Sequence, residues 1–218
     1  MDLLSIFLKG GWVMYFILLC SIIAVAVVIE KFIVLRKAKI NVPAFLIKIR
    51  TLLKKKDIEG AINFCMQERT PVSNIVRKGL RKFRFGHQRV VEAIESAGRQ
   101  EIGKLEKGLS TLATISGIAP LLGFLGTVTG MINAFMKIQE LQGSVSPADL
   151  AGGIWEALIT TAFGLIVGIP ALAFYNYFVN AINKLVMDIE LITNDIIDVL
   201  DDTSKHGSTE EDEEEINL

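Results

Sequence analysis

Three stretches of the chain contain no Asp, Glu, Lys or Arg, and they constrain its fold more than any other feature. They cover residues 10–29, 108–136 and 157–183, which together make 76 of the 218 residues. All 23 bases and 24 acids therefore lie in the other 142 residues. A helix needs about 20 apolar residues to cross roughly 30 Å of hydrocarbon, so each stretch is long enough to span a membrane. This distribution excludes a uniform soluble core, a chain disordered throughout and a small disulfide scaffold.

The first uncharged stretch has two interpretations, a retained membrane span or a cleaved signal peptide. Ala24-Val25-Ala26 resembles a cleavage site. However, apolar residues continue past it to Ile29 and no polar region precedes it, which is not typical of a signal peptide. The pattern favours a retained span over residues 12–35, after a short N-terminal segment of residues 1–11.

The second and third stretches are rich in small residues and resemble helices that pack against each other. Small residues at a four-residue spacing let membrane helices approach closely. The candidates for such packing are Gly123, Gly126 and Gly130 in the second stretch and Gly164 and Gly168 in the third. Pro120 and Pro170 lie inside these stretches, and each is expected to kink its helix because it removes a backbone donor.

Basic residues predict the orientation of the chain. Residues 36–107 carry 18 bases and 7 acids, whereas residues 137–156 carry one base and three acids. Cytoplasmic segments of membrane proteins are enriched in Lys and Arg. We therefore expect residues 36–107 in the cytoplasm, the N-terminus and a short loop over residues 137–152 outside, and the C-terminus inside.

The predicted fold is all-α, a polytopic membrane protein with three transmembrane helices, two of which extend into a cytoplasmic helical bundle. The second span is assigned to residues 108–136 and the third to residues 153–183. Thr70-Pro71 predicts a helix start within the cytoplasmic region. A helical pattern is expected to run unbroken from about Gln88 into the second span, and another helix over residues 184–202 to continue the third.

Apolar stripes on these two extensions are expected to pack, and the spacing leaves open whether they pack within one chain or between subunits.

Residues 203–218 are small, polar or acidic, which predicts a disordered acidic tail. The tail would act as a solubilising segment, with attraction to the basic region as the alternative. From residue 184 onward the chain holds 2 bases and 12 acids.

Motifs for catalysis, metal binding and nucleic-acid binding are absent from the sequence. There is no phosphate loop, nucleophile elbow or zinc-ligand spacing, and the bases of the cytoplasmic region are spread over amphipathic helices that carry few aromatic residues. These observations predict that the protein is not an enzyme, binds no cofactor or metal, and has no nucleic-acid partner.

A few polar groups in the second and third spans are candidates for an ion path. Glu156 and Thr160 lie one turn apart, and Thr127 shares a face with Gly123 and Gly130. An acid within hydrocarbon usually faces a protein interior or a wet cavity. The alternatives are that Glu156 sits in the headgroup layer and that each threonine bonds its own backbone.

Two longer motifs resemble the MotA/TolQ/ExbB proton channel family, and within it ExbB most closely. The first is Ala119-Pro120-Leu121-Leu122-Gly123-Phe124-Leu125-Gly126-Thr127-Val128-Thr129-Gly130-Met131-Ile132. The second is Ala151-Gly152-Gly153-Ile154-Trp155-Glu156-Ala157-Leu158-Ile159-Thr160-Thr161-Ala162-Phe163-Gly164-Leu165, followed by Ile169-Pro170-Ala171. Gly10-Gly11-Trp12 through Lys31 is similar to the first span of the family, and three spans favour an ExbB-like or TolQ-like subunit over a MotA-like one.

The resemblance implies a homopentamer in the bacterial inner membrane, whose second and third spans line a pore. A dimer of an ExbD/TolR-like single-span partner would occupy the pore and supply a carboxylate that carries ions, with a TonB- or TolA-like protein as transducer. By motif position, Thr127 and Thr161 match pore threonines of the family and Glu156 its third-span glutamate. Thr160 is also assigned to the pore lining.

The implied role is that of a stator subunit of a motor driven by the proton-motive force, which energises outer-membrane transport. The alternatives are a TolQ-like subunit of the Tol-Pal system for envelope integrity and a membrane scaffold that conducts no ions. The sequence leaves open whether the ion is H⁺ or Na⁺.

Overall fold

The computed structural model describes residues 3–142 and 146–216, and side chains within them for residues 5–142 and 146–200. Every regular element in these ranges is a helix. The helices are α1 (Leu3–Lys9), α2 (Val13–Ala38), α3 (Val42–Lys54), α4 (Ile58–Glu68), α5 (Pro71–Leu80), α6 (His87–Glu106), α7 (Leu109–Glu140) and α8 (Pro147–Ile216), with a short 3-10 turn over Phe83–Phe85. The all-α prediction is confirmed.

Three helical segments are long and apolar enough to cross a membrane, as predicted. They lie within Val13–Ala38, His87–Glu140 and Pro147–Leu200. The chain is therefore a multi-pass membrane protein. The contacts within the chain divide it into two compact units. The membrane unit comprises residues 1–31 and 108–179, and the polar unit comprises residues 32–107 and 180–218.

Small residues form the contact between α7 and α8 in the membrane unit. The buried residues along α7 include Ala119, Gly123, Gly126, Gly130 and Ala134. On α8 the contact is made by Gly153, Ala157, Thr160, Gly164 and Gly168. A Cβ atom on Gly164 would lie 2.6 Å from the carbonyl oxygen of Ala119, closer than two such atoms can approach. The two backbones therefore touch directly, which requires glycine at these positions.

Both prolines lie inside continuous helices, Pro120 in α7 and Pro170 in α8. Gly168 makes room for the ring of Pro120, because a Cβ atom on Gly168 would lie 2.5 Å from Pro120 Cγ. Helix α2 also contributes to this unit. Its buried residues Val13, Met14 and Ile17 form a small apolar cluster that packs against Leu122 and Ile159.

The polar unit has its own hydrophobic core. It contains buried residues of α3, α4, α5, α6 and the far part of α8, including Ile49, Cys65, Ile75, Ile94 and Ile192. The side chain of Thr70 accepts a hydrogen bond from the amide of Ser73, 3.2 Å away, and the hydroxyl of Ser73 accepts one from the amide of Thr70. This reciprocal cap starts α5 where the sequence predicts it.

A charged pair joins two helices of this unit. Arg50 Nε donates to Asp195 Oδ2 at 2.6 Å, and the guanidinium also contacts Oδ1. The two parallel contacts fix the orientation of both side chains. In α4 of the same unit, burial raises the pKa of the Cys65 thiol to about 12, a shift that Arg77 opposes and Glu68 reinforces.

The helix predicted to continue unbroken from residue 88 into the second span is interrupted, so this expectation is wrong. α6 ends at Glu106 and α7 begins at Leu109. Gly108 has φ +89°, a left-handed conformation that side chains with a Cβ atom rarely adopt. The break therefore follows from the glycine, which the apolar pattern alone does not register.

The ends of the chain differ from the predicted segments. Helix α1 occupies most of the predicted N-terminal segment, α7 extends to Glu140, and α8 begins at Pro147. The backbone of α8 continues to Ile216, whereas the sequence predicts a disordered tail from residue 203. Glutamate has a fair helix propensity, which is consistent with a continued helix. Disorder of the tail in solution stays a prediction.

Candidate functional site

A pair of threonine hydroxyls lies between α7 and α8. Thr127 Oγ1 and Thr161 Oγ1 are hydrogen-bonded to each other across the two helices. Thr161 Oγ1 also lies 3.1 Å from the carbonyl oxygen of Gly123, and Thr127 Oγ1 lies 3.3 Å from the same oxygen. The carbonyl oxygen of Ala157 is a further acceptor, 3.4 Å from Thr127 Oγ1. The sequence predicts both threonines as site residues, and the structure brings them together.

The hydrogen bonds of this pair can be arranged in two ways. Each hydroxyl carries one proton and can accept two bonds. If Thr161 donates to Gly123, Thr127 donates to Thr161. If Thr127 donates to Gly123 or Ala157 instead, Thr161 donates to Thr127. The pair can therefore reverse the direction of its hydrogen bonds while the two hydroxyls remain bonded to each other.

Glycine allows the two threonines to meet. A Cβ atom on Gly123 would lie 2.9 Å from the carbonyl oxygen of Thr160 and 3.0 Å from Thr161 Cα. Because these are backbone atoms, no side-chain rotation can relieve the overlap. Gly123 therefore sets the helix separation at the level of the hydroxyl pair and offers its carbonyl oxygen to both hydroxyls.

Thr160 has a different environment from its neighbour Thr161. It is fully buried, and its hydroxyl donates to its own helix, 2.9 Å from the Glu156 carbonyl oxygen and 3.0 Å from that of Ala157. Its side chain fills the space left by Gly126. Thr160 therefore packs in the helix contact, and its predicted place in the pore lining stays a prediction.

Glu156 lies about 7.5 Å nearer the N-terminal end of α8 than Thr161, from the rise of 1.5 Å per residue. Asn133 Nδ2 donates to Glu156 Oε2 at 3.4 Å. On another side the carboxylate packs on Gly11, where a Cβ atom would lie 2.9 Å from Glu156 Cδ. Gly11 has φ +67°, so both its conformation and the close carboxylate require glycine.

The sequence-based reasoning missed Gly11 and Asn133 as neighbours of Glu156. Asn133 is visible in the sequence as a polar residue of the second span, but its partner depends on how α7 and α8 are aligned. The double glycine before Trp12 is the signal for a tight turn at residues 10 and 11.

The outer faces of α7 and α8 expose many large apolar side chains. They include Phe124, Val128, Ile132 and Phe135 on α7 and Leu158, Ile166, Ile169 and Leu172 on α8. Exposed apolar surface of this extent marks contact with lipid or with other protein chains. The sequence places no Asp or Glu in residues 108–136 or 157–183, so the walls around the threonine pair contain no carboxylate of their own.

Comparison with known proteins identifies the family. The model of the MotA/TolQ/ExbB proton channel family matches residues 67–191, more than half of the chain. The chain belongs to this family. The resemblance seen in its two motifs is thereby confirmed, and the family it belongs to is one of proton channel proteins rather than enzymes.

Several curated relatives carry ExbB in their names. The putative biopolymer transport protein ExbB homolog of Methanothermobacter thermautotrophicus is 33% identical over 190 residues, which cover 87% of this chain and 67% of that protein. The biopolymer transport protein ExbB of Xanthomonas campestris is 38% identical over 109 residues, 50% of this chain and 43% of that protein. The putative biopolymer transport protein ExbB-like 1 of Synechocystis is 32% identical over 186 residues, 82% of this chain and 71% of that protein.

The match to these relatives is uneven in length. The chain spans about two thirds of the Methanothermobacter protein but less than half of the Xanthomonas protein. Both threonines of the hydroxyl pair and Glu156 lie inside the region matched by the family model. Family membership therefore rests on the segment that carries the candidate site.

Proposed function

We propose that this chain is the pore-forming stator subunit of an ExbB-like motor in the bacterial inner membrane, driven by the proton-motive force. The observation that carries the proposal is the hydroxyl pair of Thr127 and Thr161, held between two glycine-packed helices in a chain of a proton channel family. The polar pair would provide hydrogen-bonding groups inside an otherwise apolar wall.

A homopentamer is the proposed assembly, with α7 and α8 of each copy around a central pore. The exposed apolar side chains of both helices support an assembly, because surfaces of this kind need lipid or protein against them. In this arrangement one part of the surface packs on neighbouring subunits and another faces the partner helix in the pore.

The proton carrier must come from another chain. Residues 108–136 and 157–183 contain no carboxylate, and Glu156 lies just outside the second of these ranges. An ExbD-like partner with a single span would supply an acid to the pore. The partner acid, when ionised, accepts hydrogen bonds from hydroxyls such as those of Thr127 and Thr161, and it loses this attraction when it is protonated.

The same change of charge would drive motion. Each elementary charge that crosses about 100 mV releases roughly 2.3 kcal/mol. Two partner helices cannot make the same contacts with all five equivalent pore walls at once. Protonation and deprotonation of the partner acid therefore favour stepwise rotation of one part inside the other. A TonB-like transducer would transmit this motion to transport across the outer membrane. The ExbB names of the relatives favour this role over a TolQ-like one.

Charge supports the proposed orientation. Residues 36–107 carry 18 bases and 7 acids, so the polar unit belongs in the cytoplasm by the positive-inside rule. The N-terminus and the connection between α7 and α8 would then lie on the outer side, and the C-terminus would be cytoplasmic. Glu156 would lie at the outer mouth of the pore.

Proton flux into liposomes tests the proposal. The full chain is reconstituted with and without a single-span partner encoded beside it, and an interior pH dye reports flux under an imposed membrane potential. Flux that requires both chains is expected, and it should persist in Na⁺-free buffer. Glu156→Ala should reduce it, whereas the matched exposed acid variant Glu140→Ala should not. An absence of proton flux both with and without the partner would favour a scaffold that conducts no ions.

A further inference from the structure

One end of the membrane unit has the features of a lipid headgroup layer. Both tryptophans of the chain lie there, Trp12 with 54% and Trp155 with 38% of its surface exposed. Lys9 Nζ lies 5.9 Å from the ring centroid of Trp155. Tryptophan is enriched where hydrocarbon meets headgroups, and lysine near a helix end extends its ammonium into the same layer.

A groove opens at this end of the unit. It encloses about 550 Å³ and is lined by Lys9, Ala151, Gly152, Trp155 and Glu156. Two of the lining residues are small, and a Cβ atom on Gly152 would meet no other atom within 4 Å. The groove therefore has free space beside one ammonium, one carboxylate and one large aromatic ring.

The two charges of the groove match a ligand that carries both signs. Lys9 has three donors and would bind a phosphate. Glu156 accepts one bond from Asn133, at 3.4 Å, and a carboxylate can accept about four. It can therefore also bind an ammonium group, which the face of Trp155 would attract as well. A headgroup with phosphate alone would place its negative charge beside Glu156 without compensation.

We propose that this groove binds the headgroup of a zwitterionic phospholipid with a primary ammonium, the phosphatidylethanolamine class. The phosphate lies at Lys9, the ammonium lies between Glu156 and Trp155, and the acyl chains follow the exposed apolar surface of the membrane helices. This site goes beyond the proposed role in ion conduction, because it places a lipid on a residue assigned to the outer mouth of the pore.

Native mass spectrometry of the full chain in detergent tests the proposal without the partner. The protein is offered phosphatidylethanolamine and phosphatidylglycerol with identical acyl chains at equal concentration. Wild-type protein is expected to retain phosphatidylethanolamine in preference. Lys9→Gln removes the cation and Gly152→Leu fills the groove, and each should reduce this retention about tenfold. The matched control is Lys137→Gln, a lysine that does not line the groove and whose loss should leave retention unchanged.

Two results would overturn the lipid site. One is equal retention of the two lipids by the wild-type protein. The other is unchanged retention of phosphatidylethanolamine in Lys9→Gln, a conservative variant that keeps the helix intact even if Gly152→Leu does not fold. Thr161→Val separates this proposal from the proposed function, because it should lower partner-dependent ion flux and keep the preference for phosphatidylethanolamine.

Discussion

The hydroxyl groups of Thr127 on α7 and Thr161 on α8 are hydrogen-bonded to each other at the point where Gly123 brings the two helices into backbone contact. Thr127 lies in the later half of the uncharged stretch 108–136, and Thr161 lies near the start of the stretch 157–183. The pair links packing to the proposed function, since the same glycine that permits the contact supplies a carbonyl oxygen to both hydroxyls.

The two threonines should be coupled in stability. Thr127→Val and Thr161→Val each remove the mutual hydrogen bond, so the double variant should lose less than the sum of the single losses. Interhelical hydrogen bonds in membrane proteins average about 0.6 kcal/mol, and a coupling of this order is expected. The measurement is the free energy of unfolding in detergent for the wild type and the three variants. Strict additivity would mean that the pair is not formed.

Gly123 should tolerate no side chain, whereas a nearby glycine should. In Gly123→Ala the new methyl group would meet backbone atoms of Thr160 and Thr161, and it should force α7 and α8 apart. Gly117 lies on the same helix, and a Cβ atom there would meet nothing within 4 Å. Gly117→Ala should therefore leave the thermal midpoint unchanged or raise it, because alanine favours helix.

The comparison of these two variants is made by thermal unfolding in detergent. Gly123→Ala is expected to lower the midpoint by several degrees relative to Gly117→Ala. Equal midpoints would show that α7 and α8 do not touch at Gly123.

The buried thiol of Cys65 should make the polar unit less stable in alkali. An unfolded cysteine titrates near pH 8.5, whereas burial holds the pKa of Cys65 at about 12 in the folded protein. The folded state thus binds the proton more tightly, so this contribution to stability is complete below about pH 8.5 and is lost as the pH rises toward 12. Cys65→Ala should be less stable at neutral pH but show a shallower decrease in stability between these values.

The measurement is denaturant unfolding, followed by far-UV circular dichroism at several pH values. Cys20→Ala serves as the control, because Cys20 lies in α2, outside the polar unit. A Cys65→Ala slope equal to that of the wild type would contradict the burial of this thiol.

Much of the fold is predictable because it depends on local patterns. The uncharged stretches predict the three spans, and Thr70-Pro71 predicts the start of α5. The stripe of Ile189, Ile192 and Ile196 is buried in the polar unit as its spacing indicates. Each of these predictions needs only the helical period and the chemistry of a helix end.

The site is less predictable because it depends on how helices align. Thr160 and Thr161 are neighbours in sequence, but successive residues point about 100° apart on a helix. Only the position of α7 decides that Thr160 is buried against Gly126 while Thr161 meets Thr127. The break at Gly108 was missed for a different reason, since a glycine inside a helical pattern can either continue or end the helix.

The most direct test of the account is partner-dependent proton flux in liposomes that contain Thr161→Val. Thr114→Val is the matched control, since its hydroxyl donates to the Ser110 carbonyl oxygen of its own helix, 2.8 Å away. If the hydroxyl pair belongs to the ion path, Thr161→Val should lower the flux about tenfold, equivalent to about 1.4 kcal/mol in the barrier, and Thr114→Val should leave it unchanged. Flux at the wild-type level in Thr161→Val, with the partner bound, would contradict the account.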